Sequence, residues 1–295
     1  MSDIQGTGAG CAPEHAEAVK ASVLLSHDLS MLATAAKYDL DRREDRVASN
    51  VALVELFFRI ASLAGVDLFV EAGAKEASAS QRATAELAAA RVVAFEANPY
   101  NYVRYAPSNV SAGIEYLGYA LTDMPGPVTF NVLRDDAGNP LANGRSSLLR
   151  RQREGDQQRG FEEVTVEGVT LDGFFADTSF DRAAIWVDVE GACRMVLNGA
   201  RQLLARTSVV FIEVEEMNWW GEGHWLRESV VSFLYDLGLV PVARDFEYLH
   251  QYNIVFVRDT LLRAPTPIRW ELTRFASRAI DGGRIRPGPG PRQSR

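Results

Sequence analysis

The chain has 295 residues, of which 47% are hydrophobic and 24% charged, and its net charge is −8. That is an ordinary globular composition, long enough to bury a sizeable core without a disulfide scaffold or a structural metal. No run approaches the roughly 18–20 apolar residues of a membrane-spanning helix, so membrane insertion is not expected.

Charge is unevenly spread. The last 33 residues hold eight arginines against Glu271 and Asp281, a net +6, which leaves −14 on the first 262. An acidic body argues against a nucleic-acid-binding surface. Cys11 and Cys193 are the only cysteines, which fits a reducing, cytoplasmic setting. Residues 1–13 read as a flexible leader without the basic and apolar regions of a secretory signal.

Residues 14–65 carry apolar spacing near 3.6 and predict a helical cap. Its second helix is ASNVALVELFFRIASLAG, with Ser49 or Asn50 as N-cap and Gly65 as stop. From Val66 the pattern changes. VDLFVEAG is a short apolar strand, KEASASQRATAELAAA an Ala-rich helix, RVVAFEANP a second strand, and 100–109 another helix. GIEYLGYALTD and PVTFNVL give a third and a fourth strand. Residues 134–162 form a long polar insert, expected to act as a lid. EEVTVEGVTLDGFF resumes strand alternation, and RAAIWVDVEG and SVVFIEVEE are buried strands. The helix HWLRESVVSFLYDLGLV stops at Gly238, and FEYLHQYNIVFVR closes with an antiparallel strand. Alternation of strand and helix predicts an α/β, Rossmann-like domain over 66–262, a mostly parallel sheet with helices on both faces. Residues 263–295 read as a basic, partly disordered tail.

Four acids, Glu71, Glu96, Asp188 and Glu213, fall near the C-terminal ends of four apolar strands. Open α/β sheets bind ligands outside those ends, at the point where strand order reverses. An acid after the second strand can accept both hydroxyls of a ribose, so Glu96 is a nucleoside-binding candidate; a solvated strand end is the alternative. The first turn has Gly73 but no G-x-G-x-x-G, since Lys75 and Ala77 occupy the later places. A pyrophosphate is therefore disfavoured, and S-adenosylmethionine, a nucleoside with an amino acid end, fits better.

These segments resemble the FkbM family of S-adenosylmethionine-dependent methyltransferases, over roughly Leu68 to Arg258. The family's D-x-G-A-N-x-G-x-x-S is similar to Glu71-Ala72-Gly73-Ala74-Lys75-Glu76-Ala77-Ser78-Ala79-Ser80, and its A-F-E-P-N-P to Ala94-Phe95-Glu96-Ala97-Asn98-Pro99. Its A-L-x-D resembles Ala120-Leu121-Thr122-Asp123, its S-S-L resembles Ser146-Ser147-Leu148, and its T-L-D resembles Thr170-Leu171-Asp172. Its D-V-E-G is similar to Asp188-Val189-Glu190-Gly191, its strand-borne Glu to Glu213, and its closing element to Tyr252-Asn253-Ile254-Val255-Phe256. Three positions depart: Glu71 for Asp, Ala77 for Gly, and Trp186 for the lysine two residues before D-V-E-G.

The resemblance implies a class I Rossmann-like methyltransferase fold and methyl transfer to a hydroxyl of a sugar or of a glycosylated or polyketide-type natural product. It also implies a cofactor site of Glu71, Gly73, Ala74, Ser80, Glu96, Asn98, Ala120, Leu121 and Asp188. Alternatives are a non-catalytic member that binds S-adenosylmethionine or a partner, and a nicotinamide-dependent oxidoreductase.

Chemistry narrows the catalytic candidates. A hydroxyl is a weak acid, so a base or a metal is expected beside it. Asp188 and Glu213 are candidates for base and orienting partner, or as ligands of Mg2+ or another divalent cation. His224 is a further candidate base; packing at a helix start is the alternative. Trp219, Trp220 and Trp225 could contact the acceptor or seal an interface. Arg145, Arg150 and Arg151 could hold an anionic group or form a solvated run. The expected partner is a small-molecule or glycan acceptor, and a homo-oligomer is possible through the N-terminal helices.

Overall fold

The computed structural model describes residues 13–87, 90–134, 138–139, 144–152, 160–263 and 266–277. Helix α1 (Pro13–Ala33) leads through a short 3-10 turn into α2 (Arg43–Leu63). Strand β1 (Leu68–Ala72), helix α3 (Ser78–Glu86), strand β2 (Arg91–Phe95), helix α4 (Pro99–Ser111) and strand β3 (Glu115–Leu117) follow. A smaller unit holds β4 (Ala120–Leu121), β5 (Gly126–Leu133) and β6 (Phe161–Val169). The chain then returns to the main sheet with β7 (Ala183–Val187), β8 (Thr207–Glu215), β9 (Leu239–Arg244) and β10 (Gln251–Arg258).

The seven-stranded sheet has the order β3-β2-β1-β7-β8-β10-β9. Strands β3, β2, β1, β7 and β8 are mutually parallel, and β10 runs antiparallel between β8 and β9. Strand order reverses between β1 and β7, and their registers stay aligned to the end, with Ala72 opposite Val187. The chain therefore leaves a crevice above these two strand ends.

Period-2 alternation sends the strands' side chains to two cores. Leu68, Val70, Ile185 and Val187 join a core with helices Cys193–Asn198, Arg201–Ala205 and Arg227–Asp236. Phe69, Ala184 and Phe211 join α2 and α3 on the other face. Trp186, where the resembled family has lysine, belongs to this second face. Its ring stacks on Phe211 at 3.6 Å and meets Phe57 edge-on at 5.6 Å. The replacement thus anchors α2 to the sheet and leaves the crevice untouched. Trp186→Ala should cost about 3 kcal/mol of stability, the usual loss for truncating a core aromatic. Urea unfolding checks this, with ligand binding at the crevice expected to be unchanged.

Several expectations need correction. Helix α2 begins at Arg43, ahead of Ser49 and Asn50. Glu44 and Asp45 supply the favourable charge of its first turn. Ser49 instead accepts the Phe246 N–H at 2.8 Å, and Asn50 donates to Asp245 at 2.9 Å, so both tie the helix to a loop. PVTFNVL is not a fourth strand of the main sheet. As β5 it pairs antiparallel with β6, and β4 pairs parallel with β6, in a separate three-stranded sheet. Its first half, Gly126–Thr129, alternates between half-buried and exposed and only Phe130–Leu133 are buried, against the continuous burial of β1.

The arginine-rich tail also begins as structure. Pro267–Ser277 is a helix packed on α2, with Ile268 buried and Glu271 paired to Arg59 at 3.6 Å. Residues 278–295 lie outside the described residues. Among the described residues no helix is long and apolar enough to cross a membrane.

Candidate active site

The turn after β1 is set by backbone that side chains rarely adopt. Gly73 has φ 81°, Lys75 φ 44° and Ala77 φ 62°. A left-handed non-glycine residue costs about 1–2 kcal/mol, so the turn keeps its shape at two positions against local preference. Gly73 also sits against the end of β7. A Cβ there would lie 1.8 Å from the Asp188 carbonyl oxygen. Phe95 O accepts from both Gly73 N at 3.0 Å and Ala74 N at 2.9 Å, and Asp188 N donates to Ala72 O at 2.9 Å. Three strand ends are thereby stitched together at the crevice.

Glu71 does not face the crevice. It shares the face of Phe69, beneath α3, where its Oε2 accepts the Ser80 N–H at 2.8 Å. The carboxylate satisfies an amide in the first turn of that helix, as a cap does. Burial pushes its pKa up to about 7, and the Ser80 and Ala79 amides pull against that. Ala74 and Ser80 are buried beside it and do not line the crevice.

Glu96, at the end of β2, does line it. The carboxylate is buried and accepts Lys75 N–H at 2.6 Å and Asn98 N–H at 2.7 Å. Burial raises its pKa, opposed by those amides. Asn98 caps α4 by accepting the Tyr100 N–H at 3.0 Å. One turn into α4, Asn101 presents to the same crevice a buried Oδ1 that meets no donor. The crevice is an open cleft lined by Gly73, Lys75, Glu96, Asn101, Asp188 and Glu190. Tyr119, Ala120, Leu121 and Phe130 give it an apolar wall, and Ser146 and Leu148 close it from the insert.

The insert is fixed where it crosses the site. Ser147 exchanges backbone hydrogen bonds with Asn131 of β5 at 2.8 and 3.1 Å, and its Oγ donates to Glu190 O at 2.7 Å. Asp172 holds the helix Arg201–Ala205 by accepting Gln202 N and Leu203 N, so the T-L-D segment is structural.

Asp188 and Glu213 come together as expected from neighbouring strand ends, and Glu190 joins them. One carboxylate oxygen from each lies within 4.8 Å of the others. Burial raises all three pKa values: Asp188 to about 6, Glu190 to about 8, and Glu213 well above its usual value, with the neighbouring carboxylates adding to the rise. Glu190 adopts φ 49°, a left-handed conformation that turns it back over the cleft.

His224 is placed elsewhere. Its side chain is 0% exposed, and Nε2 lies 3.1 Å from Glu215, itself 2% exposed. Glu215 also accepts the Trp220 Nε1–H at 3.1 Å, and Nδ1 of His224 lies 3.3 Å from Asn218. This network braces the loop after β8 under Gly191, where an added Cβ would meet the Trp220 ring at 2.4 Å. Trp225 packs on Phe233 at 5.2 Å. Trp220 is buried, and Trp219 and Trp225 are half-buried. Arg151, also buried, lies over the Trp219 and Trp220 rings at 5.3 Å, and its charge lowers the Glu190 pKa, as does that of Arg145. Arg150 is exposed beside Glu163.

Sequence reasoning missed Asn101, Glu190 and Glu215. Glu215 follows Glu213 by two residues within β8, the spacing that keeps side chains on one face of an extended strand, and Glu190 lies two residues past Asp188 in the turn after β7. That was the available signal. Asn101 had none beyond its place one turn after Asn98-Pro99.

Strand order 3-2-1-7-8-10-9, an acid after β2 and a glycine turn packed on the end of β7 define a class I Rossmann-like methyltransferase fold. A model of the methyltransferase FkbM domain matches residues 71–252, more than half of the chain. The chain belongs to this family of S-adenosylmethionine-dependent methyltransferases.

Similar solved structures include precorrin-6y C5,15-methyltransferase from Geobacter metallireducens, at 15% identity and TM-score 0.35, covering 72% of this chain and 87% of that one. A second is 1,6-didemethyltoxoflavin-N1-methyltransferase from Burkholderia thailandensis with bound S-adenosylhomocysteine, at 12% and 0.35, covering 86% and 93%. A third is a TehB-like S-adenosylmethionine-dependent methyltransferase from Corynebacterium glutamicum, at 11% and 0.35, covering 70% and 87%. No curated protein sequence matches the chain.

Proposed function

We propose that this protein transfers the methyl group of S-adenosylmethionine to a hydroxyl of a sugar or of a glycosylated or polyketide-type natural product. One observation carries the reading: a single cleft is lined by the Gly73 turn, Glu96, Asp188 and Glu190. The Gly73 turn and Glu96 suit a nucleoside with an amino acid tail. Glycine at 73 lets that turn close against the end of β7, where any Cβ would strike the Asp188 carbonyl. Glu96 accepts the Lys75 and Asn98 N–H groups and is also met by the Asn101 side chain, and the carboxylate's remaining acceptor capacity can take a ribose hydroxyl. The Asn101 Oδ1 offers a further acceptor. Ala120, Leu121, Phe130 and Leu148 give the apolar surface for a base.

The cofactor supplies a methyl on a sulfonium, already activated for transfer. The chain's residues must align the acceptor oxygen and deal with its proton, and alignment alone can contribute about 7–11 kcal/mol. Asp188 and Glu213 are assigned to the acceptor hydroxyl, in a site whose negative charge also favours a cationic sulfonium. His224 acts through Glu215 as a positioning residue, because it touches that carboxylate and not the cleft. Residues 144–152 serve as the lid.

The test is incubation of the protein with labelled S-adenosylmethionine and a panel of sugars, glycosides and hydroxylated polyketides. The expected product carries an O-linked methyl. A product methylated on nitrogen or carbon overturns the hydroxyl assignment. Cofactor binding with no transfer to any acceptor supports a non-catalytic member instead.

A further inference from the structure

Asp188, Glu190 and Glu213 converge where β7 and β8 end, and the first two line the cleft. Asp188 ends β7, Glu213 lies near the end of β8, and Glu190 is turned back toward them by its left-handed backbone. That backbone is clamped, since Ser147 Oγ holds the Glu190 carbonyl at 2.7 Å. Strain held in place by a second element is a common mark of a functional position. The Glu190 Oε2 is buried and meets no hydrogen-bond donor. A buried carboxylate oxygen without a donor is costly, and here it lies in the group formed with Asp188 and Glu213.

We propose that Asp188, Glu190 and Glu213 form a divalent-cation site at the acceptor end of the cleft, with Glu190 as its third ligand. The donor set is all oxygen, which suits a hard cation and not a zinc or copper site. His224, the nearest nitrogen candidate, is engaged by Glu215 and Asn218. One oxygen from each carboxylate lies within 4.8 Å of the others, close enough for a single hard cation such as Ca2+, Mg2+ or Mn2+ to draw them together. The cation would neutralise like charges that otherwise repel and would offer open positions to an acceptor hydroxyl. That last role rests on the methyl-transfer reading above; the site itself does not.

The experiment is a Mn2+ titration of the full chain followed by the electron paramagnetic resonance signal of free Mn2+. Ca2+ and Mg2+ serve as competitors, and S-adenosylhomocysteine affinity is measured in parallel. One Mn2+ per chain is expected, displaced by excess Ca2+ or Mg2+. Glu190→Gln and Glu213→Gln should each weaken Mn2+ on the order of 10- to 100-fold, at least the loss seen for outer-shell partners of a metal, with S-adenosylhomocysteine affinity unchanged. Circular dichroism melts identify a variant that fails to fold, and the other variant then decides. No saturable Mn2+ binding, or equal affinity in wild type and both folded variants, overturns the site. Failure of the wild type to bind S-adenosylhomocysteine while Mn2+ binds overturns the methyltransferase reading and leaves the cation site standing.

Discussion

Gly73→Ala is expected to abolish S-adenosylhomocysteine binding and to destabilise the chain by about 3 kcal/mol or more. Two effects combine. The residue has φ 81°, where an alanine is strained. The new Cβ would also lie 1.8 Å from the Asp188 carbonyl oxygen and 2.8 Å from its carbon. Both are backbone atoms at the end of a central strand, so no rotamer change can relieve the collision. Either β1 and β7 separate at their ends or the turn refolds, and each destroys the crevice. Gly113→Ala separates the two effects. Gly113 has φ 83° but open space around it, so strain alone acts there. It should cost about 1 kcal/mol and leave binding intact. Calorimetric titration and urea unfolding of both variants check the contrast. Equal losses in the two would mean that close packing at Gly73 does not matter.

Glu96→Gln is expected to weaken S-adenosylhomocysteine binding by about 10- to 100-fold with little loss of secondary structure. A hydrogen bond to a charged group contributes about 1.5–3 kcal/mol, and the substitution turns an acceptor-only carboxylate into a group that is half donor. The amide nitrogen must then face either Lys75 N–H or Asn98 N–H, both of which now donate to the carboxylate. The shape of the turn is kept, and acceptance of a ribose hydroxyl is weakened. Unchanged affinity would place the nucleoside elsewhere in the cleft.

Particular residues show what the sequence could reveal. The parallel strands were legible because β1, β7 and β8 each carry an apolar run bounded by glycine or acid, as strands covered on both faces do. Glu96, Asp188 and Glu213 were legible for the same reason, since a carboxylate at the end of such a strand stands out. Parity was the weak point. Glu71 looked like its fellow acids, yet it points to the α2–α3 face, because only the neighbouring side chains decide which face an end residue takes. His224 was nominated by its pKa range, and its pairing with Glu215 depends on how the loop after β8 folds, which no local pattern encodes. The start of α2 was missed because Arg42, its N-cap, makes no side-chain cap bond. Strand β5 was counted with the main sheet because a strand-length run shows that a strand forms and not which strand it pairs with.

The central claim is that the crevice between β1 and β7 holds S-adenosylmethionine. Calorimetric titration of the wild-type chain with S-adenosylhomocysteine and, separately, with NAD+ tests it most directly. The account predicts saturable binding of one S-adenosylhomocysteine per chain and none of NAD+, because Lys75 and Ala77 stand where a pyrophosphate turn needs glycine. Tight binding of NAD+ with no binding of S-adenosylhomocysteine would contradict it.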